Sequence, residues 1–136
     1  MPDVPENSPQ VIALQAAAEQ VRQQLQLAAY DAAAVRELDH FIEAQRTILS
    51  EAERTGVVSA LGCFLGECLV RTYGAEWAAG PDGTTGVGLA NRFFFNPFHL
   101  VNTQLNEGQS ASVAAFFGSV PARLAAPKPA RKGWIS

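Results

Sequence analysis

The chain has 136 residues, of which 48% are hydrophobic and 17% are charged, and its formal net charge is −3 at pH 7. This length suits one domain built around a single hydrophobic core. Nucleic-acid binding needs a clustered positive field, and an acidic chain lacks one, so we expect no nucleic-acid partner.

The two ends of the chain differ in composition from the centre. Residues 1–8 predict a disordered lead, residues 9–125 a single α+β domain, and residues 126–136 a flexible tail in which prolines alternate with Lys128, Arg131 and Lys132. Residues 1–10 hold no apolar stretch that could serve as a secretory signal, and no later run approaches the ~20 apolar residues of a membrane span. We therefore expect a cytoplasmic protein without membrane association.

Two amphipathic helices are predicted first. Ser8 and Pro9 form a typical helix start, and a neutral polar face follows that carries Gln15, Gln20, Gln23, Gln24 and Gln26. A second helix is predicted over residues 31–56, with Asp31 as its cap and Gly56 as its stop. Because few residues join them, the two helices are expected to pack as an antiparallel hairpin.

The third predicted helix, residues 57–73, is the most apolar segment and should be the central buried helix. Cys63 and Cys68 are five residues apart, so they point roughly 140° away from each other, and we expect two buried thiols without a disulfide. Gly62 and Gly66 lie on one face, which indicates close approach of another backbone.

After Gly74 the pattern changes to short strands. We predict an antiparallel meander of two or three strands, with a turn at residues 80–83 and with Gly86 and Gly88 packed over a bulky neighbour such as Trp77. Asn96 and Pro97 then begin a fourth helix, and Ser110 begins a fifth that Pro121 weakens. Strands that are grouped between helices indicate an α+β fold.

No spacing pattern joins the potential nucleophiles and bases into a catalytic set, so we expect no enzyme activity, no cofactor and no metal site. Glu67 is the most informative residue, because it is an acid on the most apolar helix. One interpretation is a structural ion pair with Arg71 or Arg92. The other is a ligand-binding or catalytic cleft that also contains Tyr73, Trp77 and His99.

The run from Phe93 to His99 contains four aromatic residues and a histidine. Strand alternation should bury Phe93 and Phe95 and leave Phe94 outside unless a helix or a partner covers it. An exposed Phe94 beside His99 would suit a protein interface, where aromatic residues dominate the binding energy.

Three motifs occur in a fixed order: Leu-Gly-Cys-Phe-Leu-Gly-Glu at residues 61–67, Tyr-Gly-Ala-Glu-Trp at 73–77, and Asn-Pro-Phe at 96–98. Together they resemble a pattern of uncharacterised small bacterial α+β proteins, over residues 57–120. The resemblance implies a buried helix, a Trp-bearing strand, a short meander and a helix start. The chain is also similar in general character to immunity proteins, which block bacterial antagonism toxins by occluding their active sites.

The leading hypothesis is therefore a protein-binding module, most concretely an immunity protein or another small inhibitor. Its acidic surface would complement a basic toxin. We expect the partner to contact acidic residues of the second helix and the meander, together with the aromatic anchor: Glu37, Asp39, Glu43, Glu51, Glu76, Asp82, Phe94 and His99. The alternatives are the Glu67 cleft and a homodimer formed through the glutamine face.

Overall fold

The structure is a computed structural model, and it describes residues 8–80 and 82–127. It confirms the predicted α+β fold, with three N-terminal helices, a three-stranded antiparallel sheet and two C-terminal helices. The elements are α1 (Pro9–Gln24), α2 (Ala32–Gln45), α3 (Glu51–Tyr73), β1 (Glu76–Ala79), β2 (Thr85–Leu89), β3 (Phe93–Phe95), α4 (Pro97–Glu107), a 3₁₀ turn (Gly108–Ala111) and α5 (Val113–Ala125). The lead before Ser8, Pro81 of the predicted turn, and the tail cations Lys128, Arg131 and Lys132 lie outside the described residues.

The prediction of one helix over residues 31–56 was wrong, because a helix boundary falls inside that range. Asp31 caps α2 as predicted, accepting a hydrogen bond from the Ala34 amide at 3.0 Å, but α2 ends at Gln45. A new helix begins after Ser50, where Ser50 and Glu53 exchange hydrogen bonds in a capping box. Gly56 therefore lies inside α3, and Ile48 is 70% exposed in the connecting turn.

The predicted α1–α2 hairpin is also absent, since α1 packs against α3 and α2 packs against α5. The connection between them explains the difference. Tyr30 is buried with its ring 5.1 Å from that of Phe64, and its carbonyl accepts a hydrogen bond from the Thr72 hydroxyl at 3.0 Å. These contacts tie the segment between α1 and α2 to Phe64 and Thr72 of α3.

The central position of α3 is confirmed, because every residue from Leu61 to Leu69 is buried. α3 is also the one helix in residues 8–80 and 82–127 that is long and apolar enough to cross a membrane by length and composition, a property that buried core helices share.

Gly62 and Gly66 of α3 pack against aromatic rings, and not against a second backbone as predicted. A Cβ atom at Gly62 would overlap the ring of Phe98, and one at Gly66 would overlap the indole of Trp77.

The sheet has the order β1-β2-β3 and lies against α3 and α4. Trp77, Val87 and Phe95 are aligned across the three strands, and strand alternation places them on the face toward the helices. Glu76, Gly88 and Phe94 are aligned on the opposite face. The bulky neighbour of Gly86 is the Phe94 ring, and not Trp77 as predicted.

α5 differs from its prediction at both ends. Ser110 lies in the 3₁₀ turn, and Ser112 is the cap of α5, accepting a hydrogen bond from the Ala115 amide at 3.1 Å. The helix also continues through Pro121 to Ala125. Proline lacks the amide that would bond to the Phe117 carbonyl, and the Tyr73 hydroxyl donates to that carbonyl instead, at 2.7 Å.

The surroundings of three helical glycines, two on α3 and one on α5, predict opposite effects for Gly→Ala substitutions. Gly62→Ala and Gly66→Ala should each lower the free energy of unfolding by about 1–3 kcal/mol, because the added methyl group overlaps a packed ring. Gly118→Ala is the matched control, since nothing lies near its Cβ position, and it should raise stability by up to about 1 kcal/mol. Urea denaturation measures all three. Equal effects at the three sites would contradict the described ring packing.

Tyr73 should matter to stability chiefly because Pro121 is present. Tyr73→Phe leaves the Phe117 carbonyl without its hydroxyl donor and should cost about 1 kcal/mol. In a Pro121→Ala background the restored amide can bond to that carbonyl, so the same substitution should cost clearly less. A double-mutant cycle by urea denaturation tests this coupling. Additive effects would show that Tyr73 and Pro121 act independently.

Candidate functional site

Both cysteines are buried free thiols on α3. Burial raises the pKa of Cys63 to about 11, and it raises the pKa of Cys68 further. A thiol attacks or binds metal as the thiolate, which these surroundings disfavour. Within residues 8–80 and 82–127, no group of three or more His, Cys, Asp or Glu side chains is placed to hold a metal ion.

Glu67 is 1% exposed, and both of its carboxylate oxygens accept hydrogen bonds. Arg71 donates through Nε to Oε1 at 3.0 Å, and Trp77 donates through Nε1 to Oε2 at 2.8 Å. Of the two arginines considered as partners of Glu67 in the sequence analysis, Arg71 forms the ion pair. Arg92 is elsewhere, with its guanidinium carbon 4.8 Å from the centroid of the Phe93 ring. The carboxylate therefore joins α3 to β1.

The five residues of the hypothetical Glu67 cleft do not share one cavity. Glu67 and Trp77 are buried and bonded to each other, and the Tyr73 hydroxyl is bonded to the backbone of α5. Arg92 lines a cleft at the meander, whereas His99 lines a separate cleft between α4 and α5. With Glu67 1% exposed and both oxygens bonded, a ligand cannot reach its carboxylate in this arrangement.

Asp39 was expected on the acidic surface of the second helix, but it is 4% exposed. Its carboxylate accepts hydrogen bonds from the Gln109 amide at 2.6 Å, the Ala114 backbone amide at 3.0 Å, the Gln104 amide at 3.1 Å, and the Ser112 hydroxyl. Burial alone would raise the pKa of Asp39, but these hydrogen bonds outweigh it, so the pKa lies below its usual range. Asp39 supplies a negative charge at the start of α5, where the helix dipole favours one.

Gln104 completes this buried network and was not singled out by the sequence. It is fully buried, donates to Asp39 and, at 2.8 Å, to Glu43, and accepts from the Val113 amide at 2.8 Å. One signal in the sequence could have found it. Asp39 falls beside Leu38 in the apolar stripe of α2, and Gln104 falls beside Leu105 in that of α4, so both helices present a polar group at the edge of their buried face.

The remaining predicted acids occupy different surroundings. Glu37, Glu51, Glu76 and Asp82 are exposed. Glu37 lies 3.8 Å from the His40 ring, and Asp82 accepts a hydrogen bond from the Thr84 hydroxyl at 2.7 Å, which lowers its pKa. Glu43 is half-buried and pairs with Arg46 at 3.6 Å. The exposed four are therefore available to a partner, whereas Asp39 and Glu43 are largely committed to the fold.

A concave surface of about 550 Å³, the meander cleft, lies at one end of the sheet. Its lining includes Glu76 of β1, Leu89 of β2, Arg92, and the half-buried Phe93 and Phe94 of β3. Within residues 8–80 and 82–127, no ion pair joins Glu76 to Arg92. Both charged groups can therefore meet a bound molecule beside two aromatic rings.

The turn that forms one wall of the meander cleft has an unusual backbone. Ala90 and Asn91 have φ angles of 57° and 55°, and the Arg92 amide closes the turn on the Leu89 carbonyl at 3.1 Å. Two left-handed residues match the twist of a tight β-hairpin, although a left-handed alanine costs roughly 1–2 kcal/mol. The turn delivers Arg92 and Phe93 to the cleft wall in a defined position.

Comparisons of the chain with protein-family models, with curated proteins and with solved structures found no match. The resemblances drawn from the three motifs therefore stay predictions. The assignment of the candidate site is supported by the geometry of this chain alone.

The Asp39 network predicts a pH-dependent contribution to stability. Asp39→Asn should lower the free energy of unfolding at pH 7 by about 2 kcal/mol, because four donors lose a charged acceptor. The pKa of Asp39 is lowered on folding, so its stabilisation is present above the unfolded value of about 3.9 and is lost as the pH falls through the folded value. The difference between wild type and variant should thus shrink below about pH 4.

Glu37→Gln, on the exposed side of the same helix, is the control for Asp39→Asn and should change stability by no more than about 0.5 kcal/mol. Denaturant unfolding of all three proteins across the acid range measures the effect. A loss at Asp39 that does not vary with pH would mean that its charge is not what the network stabilises.

Proposed function

We propose that this chain is a protein-binding module, and specifically an immunity-type inhibitor that blocks a cognate bacterial toxin by occlusion in the cytoplasm. One observation carries the proposal: the meander cleft combines two half-buried aromatic rings with a carboxylate and a guanidinium that are not paired with each other. The proposal assigns no catalytic step to the chain.

The composition of the meander cleft supports protein recognition. Binding energy at protein interfaces concentrates in aromatic and arginine side chains that lie in well-packed depressions. Phe93, Phe94 and Arg92 are such residues, and the Phe94 ring rests on Gly80 and Gly86 on the sheet face away from the helices. A partner side chain that enters the cleft would contact these rings and be oriented by Glu76.

The exposed acids support a basic partner. Glu76 and Asp82 lie on the meander, while Glu37 and Glu51 lie on α2 and α3, in a chain of net charge −3. Negative charge accelerates association with a positively charged protein such as a nuclease toxin, and it disfavours other acidic proteins. Inhibition by occlusion needs only such a complementary surface.

The chemistry of the interior also favours binding over catalysis. The two buried thiols have raised pKa values, Glu67 is bonded through both oxygens, and Asp39 is bonded by four donors. The two carboxylates therefore stabilise the fold through their hydrogen bonds, and the two thiols stay protonated inside the core. A general acid or base has to reach a substrate proton, which they could not do without rearrangement.

The first experiment is capture of the tagged protein from its native cells, with mass spectrometry of what remains bound after a moderate salt wash. The oligomeric state is measured in parallel, since a dimer through the glutamine face of α1 would itself appear as a partner. The captured protein is then produced in a host with and without this chain. Growth arrest that the chain relieves supports the immunity role, and growth arrest that it leaves unchanged rejects that role.

The surface is tested by charge reversal on the purified pair. Glu76→Lys should weaken binding about tenfold or more, because it places like charge against a basic partner inside the cleft. Glu37→Lys, on α2 and outside the cleft, is the matched control and should alter mainly the salt dependence of association. Biolayer interferometry at two salt concentrations separates the two effects. Equal affinities for wild type and Glu76→Lys would exclude the meander cleft as the interface.

A further inference from the structure

A second concave surface, the α4–α5 cleft, has a volume of about 390 Å³ and is distinct from the meander cleft. Its polar lining includes His99 and Thr103 from α4 and Ser119 and Arg123 from α5. Its apolar lining includes Leu100 and Phe116. The cleft therefore pairs polar side chains with an apolar surface, as small-molecule sites do.

The charge of this lining is opposite to that of the chain. In the part of the chain that the structure describes, no aspartate or glutamate lines the α4–α5 cleft, and Arg123 supplies a positive charge, whereas the whole chain is acidic. The buried Asp39 carboxylate lies behind Gln109 and Ser112, which both donate to it. A negative group entering the cleft would thus meet a guanidinium without a competing carboxylate in the lining.

The Arg123 side chain is oriented by two contacts. Its Nε donates to the Ser119 hydroxyl at 3.0 Å, and its guanidinium carbon lies 5.4 Å from the centroid of the Phe116 ring. Among the residues that the structure describes, its two terminal nitrogens donate no hydrogen bond. A planar guanidinium that is held at Nε and lies over a ring can offer both terminal N–H groups to one carboxylate.

Phe116 and Leu100 form the apolar side of the α4–α5 cleft. Phe116 is half-buried and packs edge-on against Phe95, with ring centroids 4.9 Å apart, so its position is set by the β3 strand. Leu100 is half-buried beside it in the lining. An apolar group of about the size of a benzene ring could cover Phe116 and Leu100 while its acidic group reaches Arg123.

We infer that the α4–α5 cleft binds a small organic anion, namely a carboxylate attached to an aromatic or branched aliphatic body. Arg123 holds the carboxylate, the His99 ring lies beside it as a further polar group, and Phe116 with Leu100 covers the body of the ligand. This site is separate from the meander cleft and does not depend on the proposed function, so failure of either proposal leaves the other unaffected.

The test is a titration of the isotopically labelled full chain with benzoate, followed by amide chemical shifts. Shifts should concentrate at residues 99–103 and 115–123, with an affinity in the millimolar range or tighter. Acetate, which has the charge without the ring, and benzyl alcohol, which has the ring without the charge, should each bind at least several-fold more weakly. Inorganic phosphate binding as tightly as benzoate would overturn the assignment of an apolar-bodied ligand.

Arg123→Gln should weaken benzoate binding about tenfold or more, because a charge-assisted contact is lost, and should leave benzyl alcohol binding unchanged. Arg36→Gln, at an exposed arginine of α2 that lines neither cleft, is the matched control and should bind benzoate like the wild type. Thermal unfolding of both variants verifies that they are folded. Absence of shifts around the cleft in the wild type, or equal benzoate affinity in the wild type and Arg123→Gln, would overturn the proposal.

Discussion

The position of Trp77 against α3 is the constraint on which the rest of the structure depends. Its ring occupies the space that Gly66 leaves open, and its Nε1 donates to Glu67 one residue further along the helix. Shape and hydrogen bonding together therefore fix the start of the sheet on the central helix. Because β2 and β3 follow by pairing in register from β1, the position of the meander cleft follows from this one contact.

A second polar contact performs the corresponding role for the C-terminal helices. Asp39 of α2 accepts hydrogen bonds from the first turn of α5 and from Gln104 of α4, so three helices meet at one carboxylate. In residues 8–80 and 82–127, every buried side-chain nitrogen or oxygen has a partner. Buried polar groups that are fully bonded favour one arrangement of the helices over others of similar apolar packing. The acids at positions 39 and 67 are thus best explained as parts of the fold.

The two clefts carry different chemistry for a simple reason. The meander cleft lies at the sheet, where alternation places Glu76 and Phe94 on the face without helices. The α4–α5 cleft lies between two helices, and its described lining combines hydroxyl groups, a histidine and an arginine with the apolar side chains of Leu100 and Phe116. The first combines both signs of charge with aromatic rings, which suits a protein surface. The second has positive charge over an apolar floor, which suits a small anion.

Local signals in the sequence determined the fold class, the buried helix α3, the grouping of the strands, and the caps at Ser8, Asp31 and Asn96. They could do so because a helix start and the spacing of apolar residues depend on residues that are neighbours in the chain. The same kind of signal was present at Ser50 and Glu53, where the missed capping box displaced the boundary of α3. Only the tertiary structure decided that α2 packs on α5, that Asp39 is buried, and that Arg92 and His99 belong to different clefts. These outcomes depend on pairs of residues far apart in the chain, and the direction in which each helix leaves its loop brings those pairs together or separates them.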